Sequence, residues 1–250
     1  MVAAEEPLEI RLGDAPFVVI MRTPGADREL TAGFLLAEGL IRDADDLGTI
    51  RLCTDPDARN PQNIVNVMLV DEAAGRVAER LAGRRMVTAN SSCGVCGRQT
   101  IDDMMSRACG VKGEWRIPSR VVRALPDRLR AAQSVFEETG GLHAAGVFDL
   151  DGTLVAIAED VGRHNAVDKV IGGQLLMERL PLAERILMVS GGTSFEIVQK
   201  AVAAGIAMVA SVSAPSSLAI DLAREAGLTL IGFVRGATFN VYTGVERLDV

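Results

Sequence analysis

Concentrated positive charge is missing from this sequence. No run of five or more Lys or Arg occurs, and 26 basic residues stand against 33 acidic ones, for a net charge of −7. Nucleic-acid and membrane-surface binding both need such a run, so neither partner is expected. Long apolar runs are missing too: Gly, Arg or Asp interrupts each one well short of a membrane span. The opening MVAAEEPLEIRLGD is acidic and has neither the basic n-region nor the apolar h-region of a secretory signal. A cytoplasmic protein is therefore expected. Cysteine is scarce, with only Cys53, Cys93, Cys96 and Cys109, and in a reducing compartment these are poor candidates for structural disulfides. No internal repeat or low-complexity stretch stands out. What remains is 250 residues at 48% hydrophobic content, enough for a substantial core in one large or two small domains.

The first third reads as β with one helix. Residues 8–12 and 16–22 flank Gly13-Asp14, a hairpin signal, and Thr23-Pro24-Gly25 breaks the run. Asp27 then opens an amphipathic helix that Gly39 can stop. Residues 63–70 form another strand, Met86-Val87-Thr88 one more, and 53–62 are loop. Further on the pattern changes to alternation. Residues 120–138 are helical with a break at Leu125-Pro126, and 144–150 with 154–159 make a hairpin closed by Asp151-Gly152. Helices at 165–178, 195–204 and 217–226 alternate with short apolar strands at 186–189, 206–212 and 228–234. That alternation predicts a three-layer α/β domain. The organisation read from the chain is an N-terminal α+β unit over 1–88, a Cys-containing loop and following helix over 89–119, and an α/β domain over 120–250.

Two constellations carry chemistry. In Cys93-Gly94-Val95-Cys96 the cysteines sit in a Gly-containing loop before a stretch of helical character bearing Ile101, Met104 and Met105 on one side. Free N–H groups and the helix dipole stabilise a thiolate at such a position. A persulfide on one cysteine is within reach of the other. Three plainer readings stay open: an irregular zinc site with Cys53 and Cys109, a thioredoxin-type redox pair, and a structural role. A regular zinc site would need a second CxxC or a CxxH, and neither is present.

The second constellation holds both histidines. Gly140-Gly141-Leu142-His143 lies near Glu159-Asp160-Val161-Gly162-Arg163-His164-Asn165, which joins a strand to a helix. Gly162 permits a tight turn, and the helix start offers N–H donors to an anion. Arg163 can clamp phosphate, while His164 and Asn165 can donate to it or to a base. Three further loops follow strands: Ser190-Gly191-Gly192-Thr193-Ser194, Ser213-Ala214-Pro215-Ser216-Ser217, and Phe233-Val234-Arg235-Gly236-Ala237-Thr238. Ligands of open α/β sheets bind beyond the carboxyl ends of strands, so four such loops suggest a pocket for a phosphate-bearing ligand. Ser and Thr at helix starts are also an ordinary structural choice.

These motifs resemble the formate dehydrogenase accessory family (FdhD). The resemblance covers nearly the whole length, through MRTPGADRELTAGFLLAEGLI, SSCGVCG, GGLHAAG, EDVGRHNAVDK, SAPSSLAIDLA and LTLIGFVRGATFNVYT. It implies a cytidine-deaminase-like α/β domain with a smaller N-terminal α+β domain, usually in a homodimer. It also implies a sulfurtransferase: a cysteine desulfurase loads a persulfide onto Cys93, with Cys96 as partner. The sulfur then passes to the metal of a molybdenum (or tungsten) bis(molybdopterin guanine dinucleotide) cofactor, for which GDP is an analogue, in the service of formate dehydrogenase. By the same resemblance Phe233, Val234, Arg235, Gly236, Ala237 and Thr238 are cofactor-binding, and Arg163, His164, Asn165, Ser194 and Ser213 join them from the loops above. One departure is Gly192, where the family often has Arg; Arg163 or Arg235 can supply the phosphate contact instead. A zinc deaminase is rejected, because the residue two beyond His143 is Ala145 and not Glu, and the CxxC precedes the histidine. The alternative from another class is a cofactor-binding chaperone that moves no sulfur. Such a binder would not need the paired cysteines. No bound structural metal is expected.

Overall fold

The computed structural model describes residues 1–13, 15–82, 111 and 115–249, with the backbone alone for 79–82. Cys93, Cys96 and Cys109, the strand expected at 86–88 and the helix expected after the CxxC lie outside the described residues.

The N-terminal unit is a four-stranded sheet, β1 (Glu6–Leu12), β2 (Ala15–Arg22), β3 (Leu47–Leu52) and β4 (Ile64–Leu69), in the order β2-β1-β4-β3. Gly13, at φ 62°, closes the expected β1–β2 hairpin. Helices α1 (Asp27–Ala37) and α2 (Asp71–Ala82) accompany the sheet. Gly39, at φ 63°, ends α1 as its position suggests. Neither β3 nor α2 was expected. Only Ile50 of β3 is buried, so that strand carries almost no periodic apolar signal.

The larger sheet contains β6 (His143–Phe148), β7 (Leu154–Asp160), β8 (Ile186–Val189), β9 (Met208–Ser211), β10 (Thr229–Arg235) and β11 (Thr238–Thr243), in the order β11-β10-β9-β8-β6-β7. Strands β8, β9 and β10 run parallel, and β7, β6 and β11 are antiparallel to their neighbours. A short parallel pair, β5 (Ile117–Pro118) with β12 (Leu248–Asp249), joins the two ends of this region.

Successive residues of the central strands point to opposite layers, and both layers are apolar. Leu187 and Val189 face α5 (Arg163–Leu176), α6 (Phe195–Ala203) and α7 (Ser217–Glu225). Ile186 and Met188 face α3 (Ser119–Ala131), where Val122, Leu125 and Leu129 are buried. This is the expected three-layer α/β arrangement. Beyond α5 the chain adds α1 and the small sheet, whose Leu8, Ile10, Val65 and Val67 belong to the same continuous cluster as Val170 and Ile171.

Helices α1 and α5 touch backbone to backbone. A Cβ on Gly33 would fall inside contact distance of the Asp168 carbonyl, and one on Gly172 would meet the Glu29 carbonyl and the Gly33 nitrogen.

Two expectations are corrected. The helix expected to break at Leu125-Pro126 runs through Pro126 to Ala131; the interruption comes at 132–133, before α4 (Ser134–Thr139). An interior proline costs about 3 kcal/mol. Full burial of Val122, Leu125 and Leu129 at about 1.5–3 kcal/mol each outweighs that. The stretch 233–238 is also not a loop throughout. Residues 233–235 end β10, and a hairpin at 236–237 returns into β11.

Candidate functional site

Register places the chemistry-bearing segments at one end of the large sheet. His143 opens β6 opposite Asp160 at the end of β7, Ala145 lies opposite Val189, and Val189 is level with Ser211. Segments 159–165, 190–194, 212–217 and 233–238 therefore emerge together, at the same edge as the first turns of α5, α6 and α7.

Backbone bonds stitch these segments to one another. Thr193 pairs with Pro215, its N–H donates to Ala214 O (3.2 Å), and Ser216 N donates back to Thr193 O (3.0 Å). Phe233 N donates to Ser213 O (3.2 Å), and Arg235 Nε donates to Val212 O (2.9 Å). The Thr193 hydroxyl is buried here with no partner among the described residues. Phe233 has φ 54°, a left-handed conformation uncommon for a bulky residue and frequent at ligand-binding positions.

Two of the three helix starts lack a side-chain cap. Gly162 has none to offer α5. Ser194, in the cap position of α6, turns its hydroxyl to His164 Nε2 (2.9 Å) instead. Ser216 does cap α7, accepting from Ala219 N (3.3 Å). The open first turns of α5 and α6 leave N–H donors for an anion, and the exposed Arg163 opens α5 with its Cδ beside Gly191. A Cβ on Gly191 would lie 3.4 Å from both Arg163 Cδ and His143 Nδ1, so both side chains cover that glycine. Gly192 sits one residue on, where a Cβ would come to 3.0 Å from Ala214 O. A side chain there would press on the stitched loops, and Arg163 already supplies a guanidinium beside them.

The histidines are neutral near pH 7. Burial pushes His164 down to about 4, with Lys200, Arg163 and His143 adding repulsion. His143 is lowered for the same first reason, then by Arg163, while Asp160 pulls the other way. Glu196 stands 3.3 Å from His164 Nε2, and with the ring neutral this approach is not an ion pair. Beneath His164, Lys200 and Asp168 form a buried pair at 2.7 Å; burial raises Asp168 to about 6 against the pull of Lys200.

Asp160 organises the turn that launches Arg163 and His164. The carboxylate is fully buried and accepts from Gly162 N (2.8 Å), Asn165 Nδ2 (2.9 Å) and Thr23 N (3.0 Å), with Lys169 Nζ at 2.7 Å. Thr23 returns the contact, its hydroxyl accepting from Val161 N (3.1 Å) and its carbonyl from Lys169 (2.8 Å). The EDVGRHNAVDK motif is therefore partly a brace to the N-terminal unit. The Asn165 amide is committed to Met21 O (2.8 Å) and Asp160.

Of the residues singled out from sequence, Arg163, His164, Ser194, Ser213, Phe233 and Arg235 gather at this edge. Val234 is fully buried in the α3-side cluster, and Gly236, Ala237 and Thr238 form the exposed hairpin tip. Asp160, Lys169, Thr23 and the Lys200–Asp168 pair carry the geometry without having stood out in that role. Their signal was a carboxylate and a lysine at 160 and 169, flanking the first turns of the helix that carries Arg163 and His164.

The comparisons agree over the whole length. Residues 3–249 match the FdhD/NarQ family. The sulfur carrier protein FdhD of Streptomyces avermitilis is 51% identical over 250 residues, covering 98% of this chain and 88% of that protein. That of Anaeromyxobacter dehalogenans is 52% identical over 257 residues, covering 99% and 88%. Among solved structures, a Desulfotalea psychrophila protein named as a formate dehydrogenase accessory protein superposes with a TM-score of 0.76. It is 26% identical, and the match covers 99% of this chain and 90% of that one. The chain belongs to the FdhD/NarQ family.

Proposed function

We propose that the chain is a sulfur carrier. It takes sulfur from a cysteine desulfurase as a persulfide on Cys93 and passes it to a molybdenum or tungsten bis(guanine dinucleotide) cofactor held as cargo at the strand-end site. The relatives named sulfur carrier protein support the first half of this reading. The observation that carries the second half is the pair of uncapped helix starts under Arg163, beside the Phe233–Arg235 segment. That arrangement suits the phosphates of a nucleotide.

The chemistry balances on two thiols. The Cys93 thiolate attacks the outer sulfur of the donor persulfide, that S–S bond breaks, and the donor thiolate leaves. In delivery, Cys96 attacks Cys93 Sγ, the persulfide bond breaks and sulfide departs to the metal. The transferred sulfur gains two electrons and the cysteine pair loses two, ending as a disulfide that a dithiol reductant reopens. The client is formate dehydrogenase or a related enzyme of the same cofactor, in line with the name of the solved relative.

Intact-mass measurement after incubation with a cysteine desulfurase and cysteine tests the carrier step. The wild type should gain one sulfur atom, lost again on reduction, and the Cys93→Ala, Cys96→Ala double variant should gain none. Equal gain by the double variant would overturn the carrier reading. GDP binding without any loading would leave a cofactor chaperone.

A further inference from the structure

At the opposite end of the large sheet from His143 lies an open cavity of about 390 Å³, lined by Pro118, Arg120, Val121, Arg128, Leu150 and Asp151. We propose that this cavity and the adjoining face of α3 dock an acidic segment of a partner protein, one carboxylate side chain entering between Arg120 and Arg128. The proposal is independent of the sulfur-carrier reading and concerns a different part of the molecule.

Three observations carry it. The first is that Arg128 is held in place: Nη1 donates to the carbonyls of Asp151 and Gly152 across the β6–β7 turn. Gly152 has φ 81°, and a Cβ there would run into that guanidinium and come to 3.0 Å from Val121 Cγ1. A guanidinium already fixed loses little freedom on gripping a carboxylate.

The second is uncompensated charge. Arg116, Arg120, Arg123 and Arg128 are all exposed, and no carboxylate of the described residues forms an ion pair with any of them. Their neighbours are answered: Arg130 pairs with Glu137 (2.7 Å) and Arg185 with Asp149 (3.0 Å). Asp151, the carboxylate of the cavity, is committed to Thr153 N (2.8 Å), the chief cause of its lowered pKa; Arg128 is a lesser one. A basic face without ion-pair partners among the described residues is complementary to an acidic segment.

The third is shape. Val121, Leu150 and Pro118 give the cavity an apolar wall, and the exposed Arg123 continues along α3 from Arg120, with Asp127 exposed on the same helix. A small anion would use the two cavity arginines alone. An extended acidic segment with an apolar residue beside its carboxylate uses the whole face.

The test is fluorescence anisotropy of the full chain with a short labelled peptide of alternating glutamate and leucine, against the same peptide with glutamine in place of glutamate. The glutamate peptide should bind, more weakly as salt is raised, and the glutamine peptide should not. Arg120→Ser and Arg128→Ser should each weaken binding at least about tenfold. Arg130→Ser, whose partner is Glu137, should leave it within about twofold. Thermal melting checks folding. Arg120 makes no hydrogen bond among the described residues, so Arg120→Ser remains informative even if Arg128→Ser loosens the turn. Equal binding of the two peptides, or indifference to Arg120→Ser, overturns the proposal. So does full displacement by millimolar inorganic phosphate, which marks a small-anion site, or tighter binding to anionic lipid vesicles than to the peptide.

Discussion

Gly172 and Gly173 are neighbours in one helix, and the structure sets them against each other. A Cβ on Gly172 overlaps the Glu29 carbonyl and the Gly33 nitrogen of α1, backbone atoms that cannot rotate aside. For Gly172→Ala, α1 and α5 must move apart, and overpacking of this kind costs about 1–3 kcal/mol. Alanine in a helix interior returns about 0.5–1 kcal/mol relative to glycine. The expected net loss is up to about 2.5 kcal/mol, or a melting temperature lower by up to roughly 10 °C at this chain length. A Cβ on Gly173 meets only Glu29 Cγ, at 3.7 Å, an ordinary contact. Gly173→Ala keeps the helix gain and should be more stable than wild type by about 0.5–1 kcal/mol. Equilibrium denaturation of the three proteins reads both values. Because α5 also carries Arg163 and His164 in its first turn, calorimetry with GDP on Gly172→Ala reports whether the separation reaches the site. If Gly172→Ala is as stable as Gly173→Ala, the backbone contact between α1 and α5 is wrong.

Arg163→Ala and Arg235→Ala should each weaken GDP binding by at least about tenfold, as loss of a guanidinium–phosphate contact requires, while persulfide loading stays intact; unchanged calorimetry for both would remove the site from this edge. His164 and Asp168 oppose each other in acid. His164, lowered to about 4, contributes stability that is full above 6.5 and lost as pH falls towards 4. Asp168, raised to about 6 from 3.8, contributes stability that is full below 3.8 and lost as pH rises through 6. His164→Gln removes the first alone, so its stability deficit against wild type should shrink by about 3 kcal/mol between pH 7 and 4; a deficit independent of pH in denaturation curves refutes the assignment. Cys53 is buried, and Cys53→Ala should load sulfur as well as wild type by intact mass, since a buried thiol cannot meet a donor protein.

Much of the architecture is a local matter and was legible without coordinates. Gly13 and Gly152 mark hairpins because both sit at positive φ, and Gly39 ends α1 for the same reason. The alternation of short apolar strands with helices after residue 143 was readable because central strands with helices on both faces need side chains apolar on both faces. The strand-end position of Arg163, His164, Ser194, Ser213 and Arg235 followed from that alternation alone. Where burial is one-sided or slight the reading failed. The strand β3 hides little besides Ile50, and β11 buries none of its residues fully. Pro126 looked like a break because its cost is local, whereas the buried stripe of Val122, Leu125 and Leu129 that offsets it is tertiary.

What only the folded chain decided are contacts between segments far apart in sequence. Thr23 meets Asp160 across 137 residues, and Lys169 reaches Thr23 across 146. Gly33 and Gly172 read as ordinary helix glycines until α1 lies on α5. Periodicity reports which face of a segment is apolar, but not which other segment covers it, because burial is non-directional. Partner choice comes instead from directional bonds and close backbone approach, and those exist only once the two segments have met.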